Sequence, residues 1–134
     1  MSLLATVTWS RRAGLVLNAL AVGGAKEGKV LVLGSPGLAR VLAARGREVE
    51  SGRVGAGDEE KHDADTFAAL VAVTRSEPTA EWSRVVRKGG VVVVVASAVP
   101  DVELSRRALC AGWTDVRAAR TGRTVVISGR IFKI

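Results

Sequence analysis

Lys29-Val-Leu-Val-Leu-Gly-Ser-Pro-Gly-Leu-Ala-Arg-Val-Leu-Ala-Ala-Arg-Gly-Arg-Glu-Val49 decides the fold. Val30 to Leu33 is an unbroken run of β-branched residues and leucine, the pattern of a strand buried on both faces. Gly34 and Ser35 make the turn out of it. The Ser35 hydroxyl can accept from the open N–H groups that begin a helix, and Pro36 suits the first helical position, where no N–H is needed. Leu38, Val41 and Leu42 recur at helical spacing, Arg45 complements the C-terminal dipole, and Gly46 ends the helix. Arg47 to Glu50 restarts extended chain. Strand, glycine turn, helix and second strand form the first half of a nucleotide-binding α/β unit.

Working outward, Phe67 to Val73 reads as the next buried strand. Pro78 and Thr79 open a helix whose Trp82, Val85 and Val86 face inward, ended by Arg87, Lys88, Gly89 and Gly90. Val91 to Val95, five consecutive valines, is a central parallel strand. Asp101 begins a helix with Leu104, Ala108 and Leu109 on one side, which stops at Gly112. Val116 to Ala119 and Thr124 to Ile134 are the two strands of a hairpin joined by Arg120-Thr-Gly-Arg123.

The opening stretch resembles the first motif of class I S-adenosylmethionine-dependent methyltransferases. Glu81-Trp-Ser-Arg-Val-Val-Arg-Lys-Gly-Gly-Val-Val-Val-Val94 resembles the helix, Gly-Gly turn and strand of the same family, and Ala111-Gly-Trp-Thr-Asp-Val116 its entry into the last hairpin. The resemblance covers about residues 14 to 134 and is weakest between Ser51 and Asp65. It implies an α/β fold: a single Rossmann-like sheet, mostly parallel, with an antiparallel C-terminal hairpin. Residues 51–65, rich in glycine and charge, are too few for the helix and strand the family places there. They read as a solvated loop, and the third strand is expected to be missing.

The resemblance also implies a cofactor chemistry that the residues do not carry. The family ends its first strand with an acid; here that position holds Val32 or Leu33, depending on how the turn is aligned. The turn keeps Gly34 and Gly37 around Ser35 and Pro36. A second acid, which holds the ribose hydroxyls at the end of strand two, is replaced near Ser51-Gly52-Arg53 by Arg53, with Glu50 the only acid nearby. No catalytic residue is recognisable among Thr74, Arg75, Ser76 and Glu77. The expected cofactor is therefore none. S-adenosylmethionine is the alternative, held through Gly34, Ser35 and Gly37.

A chain of 134 residues, 48% hydrophobic, has apolar material for one core, so a single domain over 1–134 is expected. The single cysteine, Cys110, excludes an internal disulfide and suits a reducing cytoplasm; beside Leu109 it reads as a small core or boundary residue. The single histidine, His62, sits in the charged loop and is expected to be solvated. With the acids of 58–65 taken as a solvated face, no metal site is expected. Residues 1–25 have two readings. Ser10-Arg-Arg followed by an apolar stretch has the order of an export signal. The preferred reading is an amphipathic helix covering the sheet through Leu15, Leu17, Leu20 and Val22. No run is long enough to cross a membrane. Trp82 and Trp113 are expected as packing anchors, and Trp9 as a candidate interface residue.

Charge is unevenly placed. Residues 1–65 hold nine basic and eight acidic residues, and residues 66–134 hold eleven and five, so the net +7 sits mostly in the second half. Arg106, Arg107, Arg117, Arg120 and Arg123 are the candidate partner-binding residues, for an acidic protein or, as an alternative, nucleic acid. A second expected contact is the edge left bare on strand two by the missing third strand, covered by a partner or by self-association. The reading is a pseudoenzyme: a non-catalytic, methyltransferase-like binding or assembly module. It loosely resembles the N-terminal domain of anamorsin-type iron–sulfur assembly proteins through Val30-Leu-Val-Leu-Gly-Ser-Pro36, the Gly-Gly strand and Ser128-Gly-Arg130. The alternatives are a minimal methyltransferase and a basic nucleic-acid-binding accessory domain.

Overall fold

A computed structural model describes residues 3–24, 27–54, 62–75, 78 and 80–133, with side chains from Ala13 onward. The side chain of Trp9, the acids of 58–60, Ser76 and Glu77 lie outside the described residues. The elements follow in the order α1 (Leu3–Val22), β1 (Val30–Leu33), α2 (Pro36–Ala44), β2 (Val49–Gly52), β3 (Phe67–Val73), α3 (Ala80–Val85), β4 (Val86–Ser97), α4 (Asp101–Cys110), β5 (Thr114–Thr121) and β6 (Thr124–Arg130). The six strands form one sheet in the order β2-β1-β3-β4-β6-β5. β2, β1, β3 and β4 are mutually parallel, and β6 runs antiparallel to both its neighbours.

Strand periodicity divides the core into two layers, because successive side chains leave a strand on opposite faces. Val30, Val32, Ala69, Val71, Val91, Val93, Val95 and Val126 face α1 and α2. Leu31, Leu33, Leu70, Ala72, Val92, Val94, Ala96 and Ile127 face α3 and α4. Trp82 and Trp113 anchor the second layer, both almost wholly buried. Two-sided burial explains why β1, β3 and the valine run read as unbroken apolar strings.

Several elements depart from the sequence reading. β2 begins at Val49 rather than Arg47 and takes Ser51 and Gly52 out of the expected loop. Among the described residues it pairs with β1 alone, at the edge of the sheet. α1 buries Ala13, Val16 and Leu20, while Leu15 and Leu17 are half-buried and Val22 is exposed. α3 ends at Val85, and Val86 to Gly90 are extended chain instead of a helix end. There β3 and β4 shift register: Phe67 pairs with Val86, but Ala69 pairs with Val91. Gly90 permits this, since a Cβ there would stand 2.5 Å from Val86 Cγ1 and 2.7 Å from the Ala68 carbonyl. On α4, Leu104 and Ala108 are buried but Leu109 and Cys110 are exposed. The hairpin strands also differ: β5 spans Thr114–Thr121, so Arg120 is in the strand, and β6 stops at Arg130.

Candidate functional site

The order of strands changes direction between β1 and β3, and in open α/β sheets ligands bind beyond the strand ends at such a switch. The turn Gly34-Ser35 stands there. Gly34 has φ +85°, and a Cβ on it would meet the Val73 carbonyl at 2.5 Å and Val54 Cγ2 at 3.2 Å. The end of β3 and the chain leaving β2 therefore close on the turn from two sides. The Gly34 N–H donates to the Gly52 carbonyl at 3.0 Å. Ser35 is buried, and its hydroxyl caps α2 by accepting from the Leu38 N–H at 3.1 Å. Leu33, at the last position of β1, is fully buried in the α3–α4 layer.

Glu50 is aimed at the other end of the sheet. Its register partner is Leu31, and its carboxylate pairs with Lys29 at the head of β1. His62 Nε2 lies 3.4 Å from the same carboxylate, and its ring rests edge-on against Phe67 with centroids 4.8 Å apart. His62 is thus packed and partly buried, not solvated as the sequence suggests. Its own hydrogen bond to the Glu50 carboxylate holds the Lys29 ammonium above its usual pKa. Among the described residues no three His, Cys, Asp or Glu side chains group as a metal set.

The candidate arginines fall in three places rather than one patch. Arg106 donates to Glu103 through Nε at 3.0 Å and Nη2 at 2.6 Å. Arg107 shares that carboxylate at 3.1 Å and donates through Nη1 to the Arg75 carbonyl at 2.9 Å, tying α4 to the loop after β3. Held chiefly by the Arg106 hydrogen bond, the Glu103 carboxyl is lowered to about 2. Arg120 and Arg123, with Val99, Pro100 and Gly122, line an open cleft of about 480 Å³ where β4 ends. Arg120 lies 3.8 Å from Asp101 at the start of α4. Arg117 is on the opposite face, beside Leu15, Ala19 and Val22 of α1 and Ser128 of β6, in a groove of about 430 Å³. The sequence reading missed this groove; the alternation Arg117, Ala119 against Ser128, Val126 was the available signal.

No protein-family model matches the chain, and no curated protein sequence does. Solved structures do, and several of them are described as methyltransferases. The Thermus thermophilus 16S rRNA N2 G1207 methyltransferase, in complex with AdoMet and guanosine, matches at TM-score 0.57 and 15% identity over 78% of this chain. This chain spans only 35% of that one. The Burkholderia thailandensis 1,6-didemethyltoxoflavin-N1-methyltransferase, with bound S-adenosylhomocysteine, matches at 0.60 and 15%, covering 93% of this chain and 79% of that one. A putative methyltransferase from Bacillus halodurans matches at 0.60 and 12%, over 88% and 99%. The fold is methyltransferase-like, Rossmann-type and α/β.

Proposed function

We propose that this chain is a non-catalytic, methyltransferase-like module that works through protein contacts, with no resident cofactor. One observation carries the reading: the Gly34 turn is closed by its own chain. Val73 and Val54 stand at 2.5 and 3.2 Å from the Gly34 Cβ position, and the Gly34 N–H is committed to Gly52. The residues present do not fit S-adenosylmethionine. Val32 or Leu33, both fully buried and apolar, stands where the family has a carboxylate, Ser35 is taken by its cap, and Glu50 is held by Lys29 and His62. The loose resemblance to anamorsin-type domains points the same way.

The competing reading, a minimal methyltransferase, draws on the neighbours solved with AdoMet or S-adenosylhomocysteine. It leaves backbone groups at Ser35 and Gly37 to do the binding. The nucleic-acid reading loses force because Arg106 and Arg107 are already paired with Glu103. The working surface is the pair Arg120 and Arg123 at the hairpin turn, and the partner is an acidic protein. Among the described residues no helix is long and apolar enough to cross a membrane. A cytoplasmic setting agrees with a lone, exposed Cys110.

The test is chemical cross-linking in the native host, with wild type and Arg120→Glu/Arg123→Glu compared. Exposed charge changes leave stability within ~0.5 kcal/mol, so circular dichroism should report an unchanged fold. A cross-linked product that disappears in the double variant supports the reading. Identical products from both proteins return these arginines to the role of a solubilising surface.

A further inference from the structure

Beyond the hairpin turn, β5 offers a free sheet edge whose groups can be assigned one by one. It pairs with β6 and with no other described strand, over eight mostly exposed residues. Thr121 and Thr124 close a two-residue turn at Gly122-Arg123, and such a closing pair exchanges both backbone hydrogen bonds. The register then runs without interruption back to Arg117. Alternation therefore turns the amides and carbonyls of Ala119 and Arg117 inward, toward Val126 and Ser128. Those of Ala118 and Arg120 point out of the sheet, with no partner among the described residues, as on an edge.

The side chains say what would pair there. Ala118 and Ala119 keep the middle of the edge low. On the α1 face the groove of about 430 Å³ runs beside the strand, with Leu15 and Val22 as apolar wall and Arg117 in it. On the other face Arg120 stands at the cleft beside Pro100, with Arg123 at the turn. Among the described residues Arg117 and Arg123 have no carboxylate partner, and Arg120 has only Asp101 at 3.8 Å. A second copy of the chain would bring the same three cations to the same short edge, and like charges across a strand pair are destabilising.

We propose that the β5 edge takes an extended, acidic polypeptide segment as a seventh strand. Its backbone meets Ala118 and Arg120, its carboxylates meet Arg117, Arg120 and Arg123, and apolar side chains on one face enter the α1 groove. This rests on the reading of the chain as a protein-contact module and names the partner's chemistry.

The experiment is amide hydrogen exchange by NMR on the full chain, alone and with an acetylated peptide of alternating Val and Glu. In the free protein Ala118 and Arg120 should exchange faster than Ala119 and Arg117. Saturating peptide should slow Ala118 and Arg120 by about tenfold or more and leave β2 unchanged. A Val-Lys peptide should do nothing. Ala118→Pro removes an outward donor that β6 does not use, and should abolish the protection. Should Ala118→Pro not fold, Arg120→Glu, an exposed change, should weaken peptide binding about tenfold by losing a charge-assisted contact. No protection at Ala118 and Arg120, or equal protection by a single-stranded oligothymidylate, overturns the proposal. S-adenosylmethionine added to the same sample separates the two readings. Shifts at Gly34 to Gly37 defeat the non-catalytic module, whereas silence toward both ligands defeats the edge alone.

Discussion

Gly34 carries the tightest constraint at the scale of single residues. Its φ of +85° is strained for any residue with a Cβ, and the Val73 carbonyl occupies the space a Cβ would need. Gly34→Ala should therefore cost more than ~1 kcal/mol, read as a lower urea midpoint with an unchanged slope. Ser35→Ala should cost about 1 kcal/mol by the same measurement, since the Leu38 N–H at the head of α2 loses its acceptor. The Ser35 cap was legible in the sequence because it is a local pattern: a serine, then proline, before an apolar helical repeat. Val54 and Val73 over the turn were not, because they reach Gly34 from the chain leaving β2 and from the end of β3, far along the sequence. His62 was misread for the same reason; its partners Glu50 and Phe67 come from two different strands.

Among the elements, the strands were read well and the faces of the helices less well. β1, β3 and the valine run are buried on both sides, so their apolar content is itself the signal. α1 is apolar around much of its circumference, so periodicity does not select a face. Packing chose the smaller Ala13 and Val16 beside Leu20, which lets the helix approach a sheet layer made largely of valine. Leu20→Ala should cost ~2–5 kcal/mol, whereas Val22→Ala, on the exposed side, should stay within about 0.5 kcal/mol. Guanidinium denaturation of both variants checks the contrast. On α4 the carboxyl of Glu103 is depressed by Arg106 and Arg107, so the folded state binds its proton more weakly than the unfolded chain. Its contribution is present above the ordinary value of 4.5 and is lost as pH falls through about 2. NMR titration of the Glu103 carboxyl should find that low midpoint in wild type. Glu103→Gln should remove the acid-side loss at α4 and loosen Arg107 from the Arg75 carbonyl.

At the scale of the whole molecule, the described strands form one methyltransferase-like sheet with β2 and β5 at its two edges. The expectation that β2 stands at an edge came from the resemblance, since the residues between Ser51 and Phe67 are too few for the helix and strand that family places there. The distribution of the arginines did not follow from their clustering in the sequence, because sheet alternation sends Arg117 and Arg120 to opposite faces. Glu103 then takes Arg106 and Arg107 out of the free charge. A fold alone does not assign an activity, and the closed turn at Gly34 is where an enzyme and a contact module part. Isothermal titration calorimetry with S-adenosylmethionine tests that most directly. Several charge-assisted hydrogen bonds at ~1.5–3 kcal/mol each are missing, enough to move a micromolar ligand beyond millimolar. No binding heat up to millimolar cofactor is the predicted result, and a micromolar dissociation constant contradicts the account.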